Sequence, residues 1–305
     1  MANFDGKLVI VTGAGSGIGR AAARRFAARG ARLIVGDINT DAANSTVDLI
    51  AAAGGQAHAY AVDVADRAAM ESFADEVDGA HGAPHVLVNN AGFTTAGPFL
   101  NHTAEDWKQI MGVNFWGVYH GSRLFGRRMI ESGRGGRILN VTSPAAITPI
   151  PLSTPYCTSK AAAQMLTECL RLEFAGTEVG VTAVLPAFID TGFYPSARLV
   201  GDNREMLERG KNISVLAAKV IARSPETVGR NIVRIAARNP AIAPTPIEAR
   251  VVYLASRLSP AGARLASRFM DPGTMIELAT RFAPDIAVRA VDGLAERILA
   301  GSKSA

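Results

Sequence analysis

The first 190 residues of this 305-residue chain alternate between two hydrophobic periods, and that alternation limits the fold more than any single motif does. Runs rich in β-branched and apolar residues occupy 7–12, 32–37, 56–62, 85–89, 136–142 and 180–185. Between them, stretches with apolar residues at helical spacing lie at 21–29, 41–53, 67–77 and 103–130. Strands separated by helix-length segments imply right-handed crossovers and a parallel sheet covered on both faces. The expected fold class is therefore α/β, a single doubly wound parallel sheet. Turn residues agree with these boundaries. Gly54-Gly55 and Gly133 with Gly135-Gly136 close helices, while Asp66 and Thr103 are placed to cap the helices that follow them.

The rhythm changes after Leu185. Residues 196–238 read as helices, with Pro225 in a first turn behind Ser224. Residues 239–246 are Pro-rich and extended, and 247–270 and 285–300 read as two more helices separated by Asp271-Pro272-Gly273. Too few strands remain for a second sheet. The expected organisation is a sheet-bearing catalytic unit over 1–195, lid helices and a last sheet segment over 196–246, and a helical C-terminal extension over 247–305. Charge divides the chain in a similar way. Residues 1–199 hold 16 Lys and Arg against 17 Asp and Glu, whereas residues 200–305 hold 16 against 10. The formal net charge of +5 thus belongs to the C-terminal third.

Directly after the first predicted strand comes Thr12-Gly13-Ala14-Gly15-Ser16-Gly17-Ile18-Gly19, which opens the first helix. The glycines permit a tight turn and close approach of a ligand, and the helix start offers unpaired N–H groups to a pyrophosphate. The spacing is GxxxGxG, since a GxGxxG starting at Gly13 fails at Ile18. A glycine-rich turn without a ligand is the alternative, and Asp37 weighs against it. Asp37 ends the second strand, 18 residues past Gly19, where a carboxylate can bind the two ribose hydroxyls of adenosine. A carboxylate there repels a 2′-phosphate, Ile38 rather than Arg follows it, and Ser16 adds no positive charge to the loop. These residues point to NAD rather than NADP.

Over about residues 5–192 the ordered motifs resemble the short-chain dehydrogenase/reductase family, whose sheet is Rossmann-type. The segment 12–19 resembles its TGxxxGxG loop, Asp63-Val64 its adenine-facing pair, Asn89-Asn90-Ala91-Gly92 its NNAG turn, and 186–191 its PGxxxT segment beside the nicotinamide. Asn114, Ser143, Tyr156 and Lys160 fall at the family's four catalytic positions. The resemblance implies cofactor contacts from Gly13, Ser16, Gly17, Ile18, Gly19, Asp37, Ile38, Asp63, Val64, Asn90, Ala91, Gly92, Tyr156, Lys160, Pro186, Ile189 and Thr191. It also implies that Asn114 kinks the long helix 103–130 and holds a water linking Lys160 to solvent. A homo-oligomer, dimer or tetramer, built through the helices around Asn114 and Tyr156, is implied as well.

The chemistry can be read from the residues themselves. Tyr156 and Lys160 are four positions apart on a predicted helix and so share a face. A free tyrosine is a poor base at neutral pH, but a nearby ammonium favours the phenolate. Ser143 stands at the end of the fifth strand, where its hydroxyl can hold a substrate oxygen. The expected reaction is oxidoreduction: Tyr156 takes the hydroxyl proton of a bound alcohol while hydride passes from the carbinol carbon to C4 of the nicotinamide. Two alternatives stand beside it, an NAD-binding regulatory or scaffold protein without turnover and epimerase or dehydratase chemistry on the same scaffold.

Ala187 stands where the family usually has Gly after Pro186, Pro144 follows Ser143, and Ala146 replaces a frequent Gly. These departures bear on substrate shape, not on reaction class. The substrate contacts expected from Ser143, Ala145, Ile150 and Phe193, with Phe93, Phe188 and Tyr194 nearby, include no acid, Lys or Arg. A lipophilic alcohol or ketone is the expected substrate.

In the extension, Arg250, Arg257 and Arg264 recur every seven residues, with Arg268 beyond them, among Val251, Val252, Tyr253, Leu254 and Leu258, and with a break at Pro260. Val288, Val291, Ala295 and Ile298 form an apolar stripe. Three readings compete: a solvated Arg face whose apolar side packs on the domain or on another subunit, peripheral attachment to anionic lipid, and nucleic-acid binding. The last lacks a basic cluster interleaved with aromatics, so no nucleic-acid partner is expected. No apolar run approaches the roughly 20 residues of a membrane span, and the segment from Met1 to Asp5 lacks the features of a secretory signal. Cys157 and Cys169 make no disulfide framework. The expected localisation is cytoplasmic, with membrane contact at most peripheral. None of His58, His81, His85, His102 and His120 stands at zinc-ligand spacing, so no metal is expected.

Overall fold

The computed structural model describes residues 4–187, 189, 191, 193, 196–202, 207–208 and 223–259. Its strands are β1 (Leu8–Thr12), β2 (Arg32–Asp37), β3 (Gln56–Ala61), β4 (Val86–Asn89), β5 (Thr95–Ala96), β6 (Gly136–Val141), β7 (Val179–Pro186), β8 (Arg198–Leu199) and β9 (Ile242–Thr245). Its helices are α1 (Gly17–Ala27), α2 (Thr40–Ala51), α3 (Arg67–His81), α4 (Ala104–Met111), α5 (Gly117–Glu131), α6 (Thr154–Glu173), α7 (Pro225–Arg238) and α8 (Ile247–Leu258). Seven strands form one parallel sheet in the order β3-β2-β1-β4-β6-β7-β9. The chain works outward from β1 in one direction, then returns to start again at β4. The loops after β1 and β4 therefore part at this switch point, where doubly wound sheets bind ligands.

Burial explains why β1 lies at the centre. Val9 and Val11 join Phe26, Leu33 and Ile232 in one core cluster, and Leu8 and Ile10 join Met70, Phe73 and Phe125 in the other. Alternate residues of the strand thus feed opposite faces, each covered by helices.

Two differences from the sequence reading matter for the site. The helix expected over 103–130, with a kink at Asn114 implied by the resemblance, is fully interrupted there: α4 gives way to a π-turn at Gly112–Trp116 before α5 begins. Such a turn holds one extra residue, and it sits where Asn114 must point inward. Within 196–238, expected to be helical, the described residues include strand β8, which pairs in parallel with β5 as a two-stranded ribbon. A two-residue strand is too short to carry a period, which is why the sequence hides it. Residues 239–246, expected to be extended, supply β9 as the last sheet segment, with Ile242 paired to Ala183 at the sheet edge.

The exposure of α8 bears on the readings of the extension. Ala249 is buried, while Ile247, Val251, Leu254 and Leu258 are exposed. These four side chains are turned away from the domain, so of the readings given above, packing on the domain does not hold for them. The remainder of 247–270 with Arg264 and Arg268, and the stripe from Val288 to Ile298, lie outside the described residues.

Candidate active site

The glycine loop is folded hard against the turn after β4. Gly13 and Gly17 have φ of +61° and +51°, where a side chain is strained. A Cβ on Gly13 would lie 2.8 Å from Ala91 Cα, and one on Gly19 would overlap the Gly13 carbonyl. Asn90 ties the two loops together, its Nδ2 donating to Thr12 O and Gly13 O at 3.0 Å each. The backbone N–H groups of Asn90 and Ala91 donate to Thr12 Oγ1 at 3.1 and 3.2 Å. From the other side, Arg20 Nε donates to Thr46 Oγ1 at 3.0 Å, its guanidinium also meets Gly15 O, and Thr46 Oγ1 donates to Ala14 O at 3.0 Å. Sequence reasoning missed Arg20 and Thr46; only the place of Arg20 directly after the last loop glycine could have flagged it.

This arrangement leaves α1 opening with Ser16 at its N-cap, and the Ser16 side chain makes no capping bond of its own. The helix start therefore keeps donors for a bound phosphate. Asp37 stands beside it, accepting from Gly15 N through Oδ2 at 2.8 Å and from Asn39 N through Oδ1 at 2.9 Å. A glycine cradle too tight for side chains, an uncapped helix start and a strand-end carboxylate fit a dinucleotide. Thr191 lies across the loop, its Cγ2 3.4 Å from where a Gly17 Cβ would stand. Asp63 Oδ1 accepts from Ala65 N at 2.9 Å. Val64 and Ile189 are buried, Val64 against Gly117 and Ile189 in the core, so only their backbones can meet a ligand. Ile38 is exposed beyond Asp37.

Four of the sequence-predicted residues converge at the ends of β4, β6 and the first turns of α6. Lys160 is buried and its Nζ donates to Val141 O at 3.0 Å, 6.0 Å from the Tyr156 ring centroid. Burial pushes its ammonium down to about 8. Asn114, buried in the π-turn, accepts from Phe93 N at Oδ1 (3.1 Å) and donates through Nδ2 to Phe93 O and Ser159 Oγ, both at 3.0 Å. Ser159 Oγ in turn donates to Tyr156 O at 2.7 Å. The Asn114 side chain is thus committed to protein partners, and it braces the Tyr156 turn through Ser159, which sequence reasoning did not single out. Gly92 permits this packing: a Cβ there would stand 3.0 Å from Asn114 Oδ1 and 3.3 Å from Lys160 Nζ.

Ser143 caps the short turn Pro144–Ala146, its Oγ accepting from Ala145 N at 3.1 Å, which leaves its hydrogen to donate elsewhere. Ala145 is buried behind it, and the Phe193 ring lies 5.7 Å from that of Tyr156. Ile150 sits farther out and is exposed. Ala187 is not among the described residues of positive φ and donates its N–H to Thr245 O at 3.0 Å, so Ala in place of Gly carries no backbone strain. Phe188 and Tyr194 lie outside the described residues.

The loop after β4 runs on into the β5–β8 ribbon. Thr95 pairs with Arg198 and Ala96 with Leu199, and a side chain on Gly97 would collide with the Val200 carbonyl. Arg198 then reaches α4, with Nη2 2.6 Å from Asp106 Oδ1 and Nη1 donating to Gln109 Oε1 at 2.7 Å. Asp106 is buried in a capping box with Thr103, whose backbone N–H is the main cause holding its carboxyl below the usual range. Among the described residues no group of His, Cys, Asp and Glu side chains could hold a metal ion, and no helix is long and apolar enough to cross a membrane.

A family model described as short chain dehydrogenase matches residues 7–199. The chain belongs to the short-chain dehydrogenase family. Among relatives of the family, the chain is 40% identical over 269 residues to "Probable oxidoreductase EphD" of Mycobacterium tuberculosis, which covers 87% of this chain and 45% of that protein. The chain thus spans about half the length of this first-matched relative. It is 34% identical over 188 residues to D-threitol dehydrogenase of Mycolicibacterium smegmatis, covering 62% of this chain and 72% of that one. A short-chain dehydrogenase/reductase from Burkholderia phymatum, crystallised in complex with NAD, superposes with a TM-score of 0.77 at 31% identity, over 84% of this chain and 95% of that one.

Proposed function

We propose that the chain is an NAD-dependent oxidoreductase that interconverts a lipophilic secondary alcohol and its ketone, with Tyr156 as general acid and base. The observation that carries this reading is the buried Lys160 ammonium on the Tyr156 face of α6, with no carboxylate in an ion pair with it among the described residues. A cation held so close to a phenol stabilises the negative charge that forms when the phenol gives up its proton. In the oxidative direction Tyr156 Oη takes the hydroxyl proton of the alcohol, and the Ser143 hydroxyl donates to the same substrate oxygen. In the reverse direction Tyr156 returns a proton to the carbonyl oxygen. Bound NAD would supply the two-electron acceptor or donor.

For the cofactor, Gly13, Ser16, Gly17, Ile18 and Gly19 would hold the pyrophosphate and Asp37 the adenosine ribose. Asp63, Val64, Asn90, Ala91, Gly92, Pro186, Ile189 and Thr191 would line the rest, Val64 and Ile189 through their backbones. The Asp37 carboxylate, the apolar Ile38 beside it and the NAD of the Burkholderia relative support NAD as the form used. Ala145 and Phe193 support an apolar substrate. A homo-oligomer is supported by a groove of about 450 Å³ between α5 and α6, lined by Ile130, Leu166, Leu170 and Phe174 with Arg123, Arg127 and Glu131 among them, and by Met165 and Leu172 exposed on α6. Cys157 and Cys169 are free, in keeping with a reducing cytoplasmic setting.

Tyr156→Phe tests the assignment. NADH absorbance across a panel of secondary alcohols should fall by about 10²–10⁴-fold, while NAD binding measured by calorimetry holds. Substantial activity in the variant overturns the role of Tyr156. NAD binding by the parent chain without turnover on any panel member would point to a regulatory protein.

A further inference from the structure

We propose that the outward face of α8 docks this protein on an anionic lipid bilayer beside the mouth of the crevice. The helix packs inward through a small residue, Ala249, and leaves Ile247 at 67%, Val251 at 65%, Leu254 at 54% and Leu258 at 83% exposure. Steps of four, three and four place these side chains in one stripe. A helix that supports a soluble fold buries its large apolar residues, whereas these four are exposed. A contiguous apolar stripe of that kind marks a surface that meets something apolar.

Charge identifies what it meets. Arg250 and Arg257, both exposed, lie along one flank of the stripe, and Glu248 is the only acid in the helix. The Arg257 guanidinium lies 5.6 Å from the Tyr253 ring, at the edge of the stripe. Arginine stems can lie along an apolar surface while their heads reach phosphate oxygens, the geometry of an interfacial helix. A second copy on this face would bring two arginines per helix against the same two, with one acid each to offset them. An anionic surface instead complements them, as it does the 16 Lys and Arg against 10 Asp and Glu of residues 200–305.

Position ties the face to the crevice. α8 packs against the turn Pro144–Ala146 that Ser143 caps. Ile150, on the loop that follows this turn, is exposed, and so are Phe99 and Leu100 on the loop that Gly97 N joins to Leu152 O at 2.8 Å. Docking by this face would hold the crevice at the lipid surface. The inference goes beyond the catalytic reading and is measured without substrate.

Co-sedimentation of the full chain with phosphatidylglycerol and with phosphatidylcholine vesicles tests it. Binding should be strong on phosphatidylglycerol, weak on phosphatidylcholine, and reduced by salt. Val251→Asp with Leu254→Asp should weaken it roughly ten-fold or more, and Arg250→Gln with Arg257→Gln about five-fold for each arginine lost. Absence of binding, equal binding to both lipids, or binding unchanged by the Asp pair overturns the proposal. So does a change of solution mass in the Asp variant without vesicles, which assigns the face to a second copy. A lowered thermal midpoint in that variant also overturns it, because the face would then be covered by the chain's own residues 260–305.

Discussion

In the crevice between β1 and β6, the polar side chains are tied to neighbouring main chain, whereas on α8 four large apolar side chains are turned to water. Asn90 braces Thr12 and Gly13, Asn114 braces Phe93, and Lys160 is held by Val141. Each of these residues therefore serves the fold and the site at once, which is how side chains are preorganised before a ligand arrives. Ile247, Val251, Leu254 and Leu258 serve neither. The difference separates two kinds of substitution: those that damage stability and chemistry together, and those that change only what the surface meets.

The sharpest way to break this contrast lies at the phosphate loop. Gly19→Ala puts a methyl group into the Gly13 carbonyl and 2.6 Å from Asn90 Nδ2, both fixed by other bonds. Backbone cannot yield as a side-chain tip does, so a loss of roughly 3 kcal/mol or more is expected in urea unfolding, together with loss of NAD binding by calorimetry. Wild-type stability in this variant would show that the loop is looser than its hydrogen bonds imply.

The second test uses the buried cation. Lys160 has an ordinary value of 10.5, lowered by burial to about 8 in the folded chain. Between those two values the unfolded chain binds the extra proton, so stability rises with pH across that window and the full cost of the buried charge is present below it. The gain amounts to about 3 kcal/mol at most. Urea unfolding from neutral pH upward should show this rise in the parent chain and a flatter profile in Lys160→Met. Parallel profiles would mean that Lys160 is solvated in the free protein.

What could be read from the sequence divides along the same line. The sheet, the glycine loop, Asp37 and the Tyr156–Lys160 pair were legible because each is a local pattern: a strand period, a run of glycines, a four-residue step on a helix. The π-turn at Gly112–Trp116 was not, since apolar spacing continues on both sides of Asn114 and hides one inserted residue. Ser159 escaped notice because its role depends on Asn114, 45 positions away. The β5–β8 ribbon was invisible for the same reason, joining two-residue strands about 100 residues apart in sequence. On α8 the periodicity located the apolar stripe, but a period does not say which side of a helix faces the core.

That ribbon gives an intermediate case. Arg198 is half-exposed while its partner Asp106 is buried. In Arg198→Met, Asp106 Oδ2 keeps the Thr103 N–H and hydroxyl but the buried Oδ1 loses its cation, so stability should fall by about 1–3 kcal/mol. The ribbon continues the loop that carries Asn90 to Gly92, and loosening it should raise KM for the alcohol while kcat holds, as expected when ground-state and transition-state binding are lost alike. An unchanged KM would remove Arg198 from the positioning of the site.

The smallest effect is expected where the side chains are largest and most apolar. Leu254→Ser on α8 removes an exposed leucine from a helix whose inward contact is made by Ala249. Substitutions of this kind stay within about 0.5 kcal/mol, whereas emptying a buried leucine site costs about 2–5 kcal/mol. Thermal and urea unfolding of Leu254→Ser beside Leu87→Ala, a fully buried position on β4, would therefore read the two regions on one scale. If Leu254→Ser cost as much as Leu87→Ala, the outward face would be part of the fold, and its apolar stripe would no longer need an external partner to account for it.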